Sequence, residues 1–402
     1  MNFNKVILSL GLLLLVLNIQ AQISRDDLQL NTITTAVPFL QIAPDARAGA
    51  MGDIGVATPA DAASIHWNAA KYLTLKPQMG LSVSYAPWLR ALVNDINLAY
   101  LSGYYKLDDA NVLAASLRYF SLGSITFTDE MGESRGDYKP HEFAIDAAWA
   151  RKLSEKFSMG ITARYIYSNL TLGQHVAGQE SQAGQSIAAD ISFFYYKDLN
   201  IEGVENAQLN LGGTISNMGN KISYTETTVR DFIPTTLRIG PTLVLDIDEH
   251  NSFTFGVDFS KLLVPTPPVW KLNDSTNNYE LDPEGRRMIE RGMDPNVSVV
   301  TGMIQSFYDA PGGLGEELRE VNFGVGAEYW YDKQFAIRAG YFHEHHTKGD
   351  RKYVTMGAGL KYNVFGLDFA YLVTIRQRNP LENTLRFTLT FDFDALKSDL
   401  KN

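Results

Sequence analysis

The amino-acid sequence predicts an all-β fold, a transmembrane antiparallel β-barrel of about 14 strands preceded by an N-terminal plug that contains a short helix. Three observations carry that expectation. From about Gln78 onward apolar residues recur with a period of two, in segments of about ten residues, the length a tilted strand needs to cross a bilayer. The opposite face holds charges of both signs, namely Arg118, Asp146, Arg164, Asp190, Arg238, Asp246, Asp258, Glu328, Arg338, Lys361, Asp368 and Arg386, which suits a wet, cross-paired lumen. Connections between segments alternate short and long, a habit that a soluble sandwich has no reason to keep.

At the N-terminus, Lys5 precedes an apolar run from Val6 to Leu17 and a small residue, Ala21. That is the layout of a secretory signal peptide, so residues 1–21 are set aside from the fold. No other stretch reaches the roughly 18 consecutive apolar residues of a membrane helix. The chain lacks cysteine, which excludes disulfides, thiolate chemistry, Cys-ligated metal centres and a lipidated Cys anchor. A formal net charge of −10 argues against nucleic acid as a partner, because phosphate binding draws on clustered Lys and Arg.

Residues 22–77 are expected to form the periplasmic or lumenal plug segment, with Arg47, Gly49, Gly52, Gly55, Asp61, Ile65, Trp67 and Asn68 as its characteristic residues. The three glycines could suggest a dinucleotide loop. Such a loop follows a buried strand and opens a βαβ helix, whereas here Pro44 breaks the preceding "FLQIAPDA" and antiparallel-type sheet follows. Thr58 as cap, Pro59 in the first turn and Asp61 at the capping-box spacing predict a helix with Ile65, Ala69 and Tyr72 on one side. Glycines ahead of it let backbone pack closely inside a barrel too wide for wall side chains alone to fill.

The barrel is expected over residues 78–394, with 395–402 as a tail. Strands are expected to start near Leu81, Ile96, Val112, Phe143, Phe157, Ile187, Leu209, Leu237, Phe253, Val321, Phe335, Val354, Leu367 and Leu385. In "FSMGITARYIY", Phe157, Met159, Ile161, Ala163, Tyr165 and Tyr167 share one face, and Ser158, Gly160, Thr162 and Arg164 the other. Aromatics near strand ends (Tyr104, Tyr105, Tyr119, Trp149, Tyr165, Tyr167, Tyr195, Tyr196, Tyr329, Tyr331 and Tyr362) are expected to form the interfacial girdles. An even strand number with alternating loops places both termini on the short-turn, periplasmic side. Residues 262–320 form the exceptional loop, Pro-rich at its start, with a helix expected around "DPEGRRMIERG".

Chemistry-bearing motifs are weak. His343, His345 and His346 cluster in a surface loop, where a solvated turn is favoured over a metal site. The nearest approach to a nucleophile elbow, "GQSIA", fails at its last position and opens a strand. The sequence therefore offers no catalytic residue, no metal site and no cofactor site.

The segment "ARAGAMGDIGVATPADAASIHWNAAKYL" resembles the N-terminal plug of the FadL family of fourteen-stranded outer-membrane barrels, although Ala69 stands where that family usually has Pro and Lys71 where it has Gly. Within it, "LQIAPDARAGAMGDIGVAT", "FIPTTLRIGPTLV", "SFYDAPGGLGEELREVNFGVGAEYWY", "FAIRAGYFHE" and "YVTMGAGLKYNVFGLDFAYL" resemble the PorV family of the type IX secretion system of Bacteroidetes. The resemblance implies a non-enzymatic cell outer-membrane barrel that binds the C-terminal signal domains of secreted proteins at the translocon barrel. It would carry them to the cell-surface sortase and attachment complex that adds lipopolysaccharide, in contact with outer-membrane lipid. Trp270, Tyr279, Phe307, Tyr308 and Asp309 of the longest loop are the expected contacts with substrate protein. The competing reading is FadL-type transport of hydrophobic small molecules, which a continuous apolar path past Ile54, Val56 and Ile65 would favour. A surface deacylase acting on lipopolysaccharide would need a nucleophile and base that the sequence does not supply.

Overall fold

The computed structural model describes residues 30–393 except 90–92, 94, 129–130, 171–174, 177–178, 226–229, 274–277 and 376–378. The signal-peptide segment 1–21 and the tail 395–402 lie outside the described residues. Fourteen strands close into an antiparallel barrel: β1 (Met79–Pro87), β2 (Ile96–Lys106), β3 (Asn111–Leu122), β4 (His141–Ser154), β5 (Phe157–Asn169), β6 (Gly184–Leu199), β7 (Asn206–Gly219), β8 (Thr236–Asp246), β9 (Asn251–Leu262), β10 (Asn322–Tyr331), β11 (Phe335–His343), β12 (Lys352–Tyr362), β13 (Phe365–Thr374) and β14 (Thr384–Asp392). Every neighbour in the ring is sequential, and β1 meets β14 with Gly80 opposite Asp392. Each start lies within three residues of the position read from the alternation.

Alternation explains why the sheet closes as it does. In β5 the apolar set from Phe157 to Tyr167 faces outward, while Ser158, Thr162 and Arg164 are buried inside. Inward charges pair across neighbouring strands. Arg164 contacts Asp146 of β4 at 2.6 Å and Asp190 of β6 at 3.0 Å, and Arg338 of β11 contacts Glu328 of β10 at 2.6 Å and Asp368 of β13 at 2.7 Å. Two girdle residues turn inward instead. Tyr104 stacks on Tyr72 of the plug with ring centroids 5.1 Å apart, and the Tyr196 hydroxyl donates to the Glu155 carbonyl at 2.9 Å, because each lies one residue out of phase with an outward neighbour.

The chain before β1 runs through the lumen. It enters at the long-loop end, where the Asn31 amide donates to the Thr347 carbonyl at 3.0 Å and that of Ala36 to Phe232 at 2.8 Å. It leaves at the short-turn end, where Lys106 Nζ donates to the Leu75 carbonyl at 2.6 Å. The first described residues thus lie at the long-loop end, while the termini themselves lie outside the described residues. Loop alternation fixes the side of the first and last strand ends, and not that of a segment threaded through the barrel.

Two helix expectations also change. No helix starts at Pro59. The helix α1 (Ala46–Gly49) lies upstream, capped by Asp45, whose carboxylate accepts from the Ala48 amide at 2.8 Å. After Pro59 the chain makes 3-10 turns at Ser64–His66 and Ala69–Thr74, interrupted by Asn68 in an extended conformation (φ −169°, ψ 103°). Asp61 and Asn68 bond their own neighbouring amides, Ala63 at 3.0 Å and Ala70 at 3.0 Å, which competes with a continuous helix. In the long loop, "DPEGRRMIERG" forms part of a hairpin, with Ile289–Arg291 paired to Val269–Trp270 and Gly285 in a left-handed turn (φ 79°). The helices fall later, as α2 (Val299–Gln305), capped by Ser298, and α3 (Leu314–Arg319).

Candidate functional site

The plug is held along its length by polar contacts to the wall. Arg47 spans Glu328 at 2.7 Å and Asp61 at 3.1 Å. Gly52, with φ 72°, lies directly on β10 and β11. A Cβ there would sit 2.6 Å from the Tyr341 carbonyl oxygen and 2.8 Å from that of Val325, so only glycine allows this approach. Gly49 is pressed beneath Arg386 and Gly55 against the Trp67 ring. Trp67 Nε1 donates to Asp45 at 2.7 Å, and Asn68 Nδ2 donates to the carbonyls of Val56 at 2.9 Å and Phe193 at 2.8 Å. Asp258 of β9 accepts the Gly55 and Val56 amides at 2.7 and 2.9 Å.

Apolar packing closes what remains. Ile65 lies with Ala62, Ala69 and Tyr72 against Tyr100, Tyr104 and Val112 at the short-turn end. Phe39 and Leu40 fill the opposite end against Leu98, Phe120 and Ile166. Ile54, Val56 and Ile65 are all buried, and their backbone and neighbours are engaged by Asp258, Asn68 and Tyr72. The plug residues read from the sequence are thus brought together as one lumenal unit.

At the long-loop end, the described residues of the segment 263–321, hereafter the cap, are anchored to the barrel rim and to the threaded N-terminal segment. Glu317 and Glu320 of the "GEELRE" run meet Lys261 at 3.0 and 2.5 Å, while Lys348 meets Glu316 at 2.6 Å and Glu320 at 2.8 Å. The Thr266 hydroxyl donates to Glu320 at 2.7 Å, and Asn31 Nδ2 donates to Glu316 at 2.9 Å, so the threaded N-terminal segment is tied into the same cluster. These carboxylates and ammonium groups are largely buried, a setting tolerated because each is paired.

The cap exposes several large apolar side chains among its charged ones. Phe307 and Tyr308 are 49% and 59% exposed, and Tyr279 is exposed beneath the Arg287 guanidinium, 4.3 Å from its ring centroid. Trp270 is half-buried in the hairpin. Asp309 does not belong with them. Expected as a contact, it is 1% exposed and accepts the Thr266 amide at 3.1 Å, and burial pushes its carboxyl up to about 6. Four further apolar residues stand beside the expected contacts, of which the sequence reading notes only Ile304, as a sign that the loop is functional. Val300 and Ile304 on α2, and Leu314 and Leu318 on α3, are exposed by 59–79%. Their i, i+4 spacing on helices whose other sides are anchored was the available signal.

Of the three loop histidines, His343 Nδ1 pairs with the Tyr341 hydroxyl at 3.0 Å and His345 Nδ1 with that of Thr347 at 2.9 Å. His345 serves the turn that carries Lys348, whereas His343 is the last residue of β11 and not part of the loop in which the sequence placed it.

A family model described as "Type IX secretion system protein PorV" matches residues 25–269. No curated protein sequence matches the chain. Among solved structures, the Ralstonia pickettii toluene transporter TbuX is similar at 12% identity over 87% of this chain and 97% of that one, with a TM-score of 0.46. The Pseudomonas putida toluene transporter TodX is similar at 11% identity over 90% and 98%, with a TM-score of 0.44. A Pseudomonas aeruginosa FadL homologue is similar at 9% identity over 90% and 100%, with a TM-score of 0.41.

Proposed function

This chain belongs to the PorV family of type IX secretion system proteins, and we propose that it is a plugged outer-membrane carrier. It binds the C-terminal signal domain of secreted substrates at the translocon and delivers them to the cell-surface attachment complex. In this reading the long-loop end is extracellular and the short turns are periplasmic. The observation that carries it is the cap, a loop fixed to the barrel by buried ion pairs yet presenting Val300, Ile304, Phe307, Tyr308, Leu314 and Leu318 to solvent. Exposed apolar clusters of this kind are binding surfaces for protein, and a rigid base lowers the ordering cost of binding. Trp270 and Tyr279 extend the surface along the hairpin. The lumen supports carriage over conduction, since Ile54, Val56 and Ile65 form no open apolar path.

Affinity capture from detergent-solubilised membranes tests the proposal. Replacing Val300, Ile304, Phe307 and Tyr308 by Ser together, or deleting residues 265–315, is expected to reduce co-purified substrate at least roughly thirtyfold, the worth of one lost hot spot. Equal recovery from both variants would remove the cap from the site. Absence of substrate from every sample, with labelled fatty acid retained, would instead favour transport.

A further inference from the structure

Before it enters the lumen, the N-terminal segment lies along the long-loop end, and its exposure alternates. Leu30 is 74% exposed and Thr32 and Thr34 are exposed, while Asn31, Ile33 and Thr35 are half-buried. A period of two is that of an extended chain lying flat on a surface. Both ends of the stretch are tied. The Asn31 amide donates to the Thr347 carbonyl at 3.0 Å, and its side chain donates to Pro267 at 3.2 Å and Glu316 at 2.9 Å at the base of the cap. The Ala36 amide donates to Phe232 at 2.8 Å. Between these ties, no amide or carbonyl of Thr32, Ile33, Thr34 or Thr35 meets another protein group among the described residues.

All four of these residues are β-branched, the side chains that favour an extended backbone. Exposed strand edges are ordinarily blunted by Lys or Pro, and "NTITTAV" contains neither. In an extended chain the main-chain groups of alternate residues point to opposite sides. Thr32 and Thr34 therefore present one open row and Ile33 and Thr35 the other. Beside Thr32 and Ile33 opens a cleft of about 220 Å³, with Glu320, Glu344, Lys348 and Arg351 in its wall. Two carboxylates face two cations there, so the cleft suits an uncharged side chain.

We propose that residues 31–36 are a preformed strand edge to which an extended strand of the substrate's signal domain adds, main chain to main chain, with one of its side chains in the neighbouring cleft. The inference rests on the reading of the cap as the substrate surface and extends it. Asn31 is bonded to Glu316 of α3, the helix that exposes Leu314 and Leu318, so edge and apolar side chains form one continuous surface. Strand addition draws its affinity from main-chain hydrogen bonds and its selectivity from pockets for alternate side chains, and the tied ends spare the edge the ordering cost of binding.

The full chain in detergent is titrated with a purified, fluorescently labelled substrate signal domain. Proline removes an amide donor yet accepts an extended chain, so paired proline variants separate the two rows. One pair, either Thr32→Pro with Thr34→Pro or Ile33→Pro with Thr35→Pro, is expected to weaken binding at least roughly tenfold through two lost hydrogen bonds, and the other pair to stay within about twofold of the native chain. Thr34→Ser, which keeps the backbone, should bind as the native chain does. Amide exchange supplies a readout that needs no variant: the peptide covering residues 31–36 of the native chain should exchange at least roughly tenfold more slowly with the domain bound. Equal losses from both proline pairs, no loss from either, or unchanged exchange would overturn the edge. If the combined Ser substitution of Val300, Ile304, Phe307 and Tyr308 still abolishes binding in that event, the cap reading stands without it. A native chain that fails to bind the domain would overturn the substrate reading itself, and the edge with it.

Discussion

At Gly52 two demands meet. Its φ of 72° is costly for any residue with a Cβ, and the atoms that a Cβ would strike are backbone of β10 and β11, which cannot swing away. Gly49 differs, because its added Cβ would meet the Arg386 side chain and its helical conformation favours alanine. Gly52→Ala is therefore expected to destabilise the plugged barrel by about 2–4 kcal/mol, from a left-handed residue plus a backbone clash. Gly49→Ala should cost at least roughly 1 kcal/mol less. Midpoints of guanidinium unfolding in detergent measure both, and equal losses would show that the glycine spacing, and not the Gly52 contact, matters. Spacing made these glycines visible in the sequence. Their wall partners Gly324, Gly326 and Gly340 were not legible, since close approach joins residues nearly 300 positions apart and leaves no local pattern.

The cap makes the same point for elements. Alternation located every barrel strand because each has one apolar and one polar face, and the period survives any register. The cap has no such rule. Its hairpin and helices follow from Gly285, from the Ser298 cap and from the lysine clamp on Glu317 and Glu320, of which the last is tertiary. The Asp309 carboxyl, buried beside that clamp, gives the cap a pH dependence of definite sign. Its value of about 6 lies above the ordinary 3.8, so between those pH values the folded cap binds more protons than the opened loop. The contribution is complete below pH about 4 and is lost as pH rises through about 6. Limited proteolysis within residues 263–321 is expected to accelerate on the order of tenfold from pH 4.5 to pH 7, after correction for protease activity on an unfolded control. In Asp309→Asn the rate should be level over that range. A native cap that becomes more resistant as pH rises would contradict the assignment.

For the molecule as a whole, the threading of the chain decides between a channel and a carrier. Family likeness and strand count were legible before the fold was seen, but the direction of entry was not, because a segment without sheet periodicity carries no sign of which mouth it passes. Entering among the long loops, the segment ties the cap to the lumen through Asn31 and Glu316 and then fixes itself to the wall by Arg47, Asp258 and Asn68. Opening the lumen would break the buried Arg47–Glu328 and Arg386–Asp53 ion pairs together, leave Glu328 with Arg338 alone and take the Gly55 and Val56 amides from Asp258. Thermal motion does not supply that on the timescale of ion passage. Reconstituted in a planar bilayer, the native chain should therefore show no steady conductance steps, while deletion of residues 43–74 should produce steps at least roughly tenfold above the native leak, as an unplugged barrel of this width holds water. Replacing Arg47 and Glu328 together by Ala should give flicker between the two levels, since one tether is cut and the Asp258 and Asn68 tethers remain. Stable steps of full size from the native chain would mean that the plug leaves its seat without help, and the carrier reading would yield to transport.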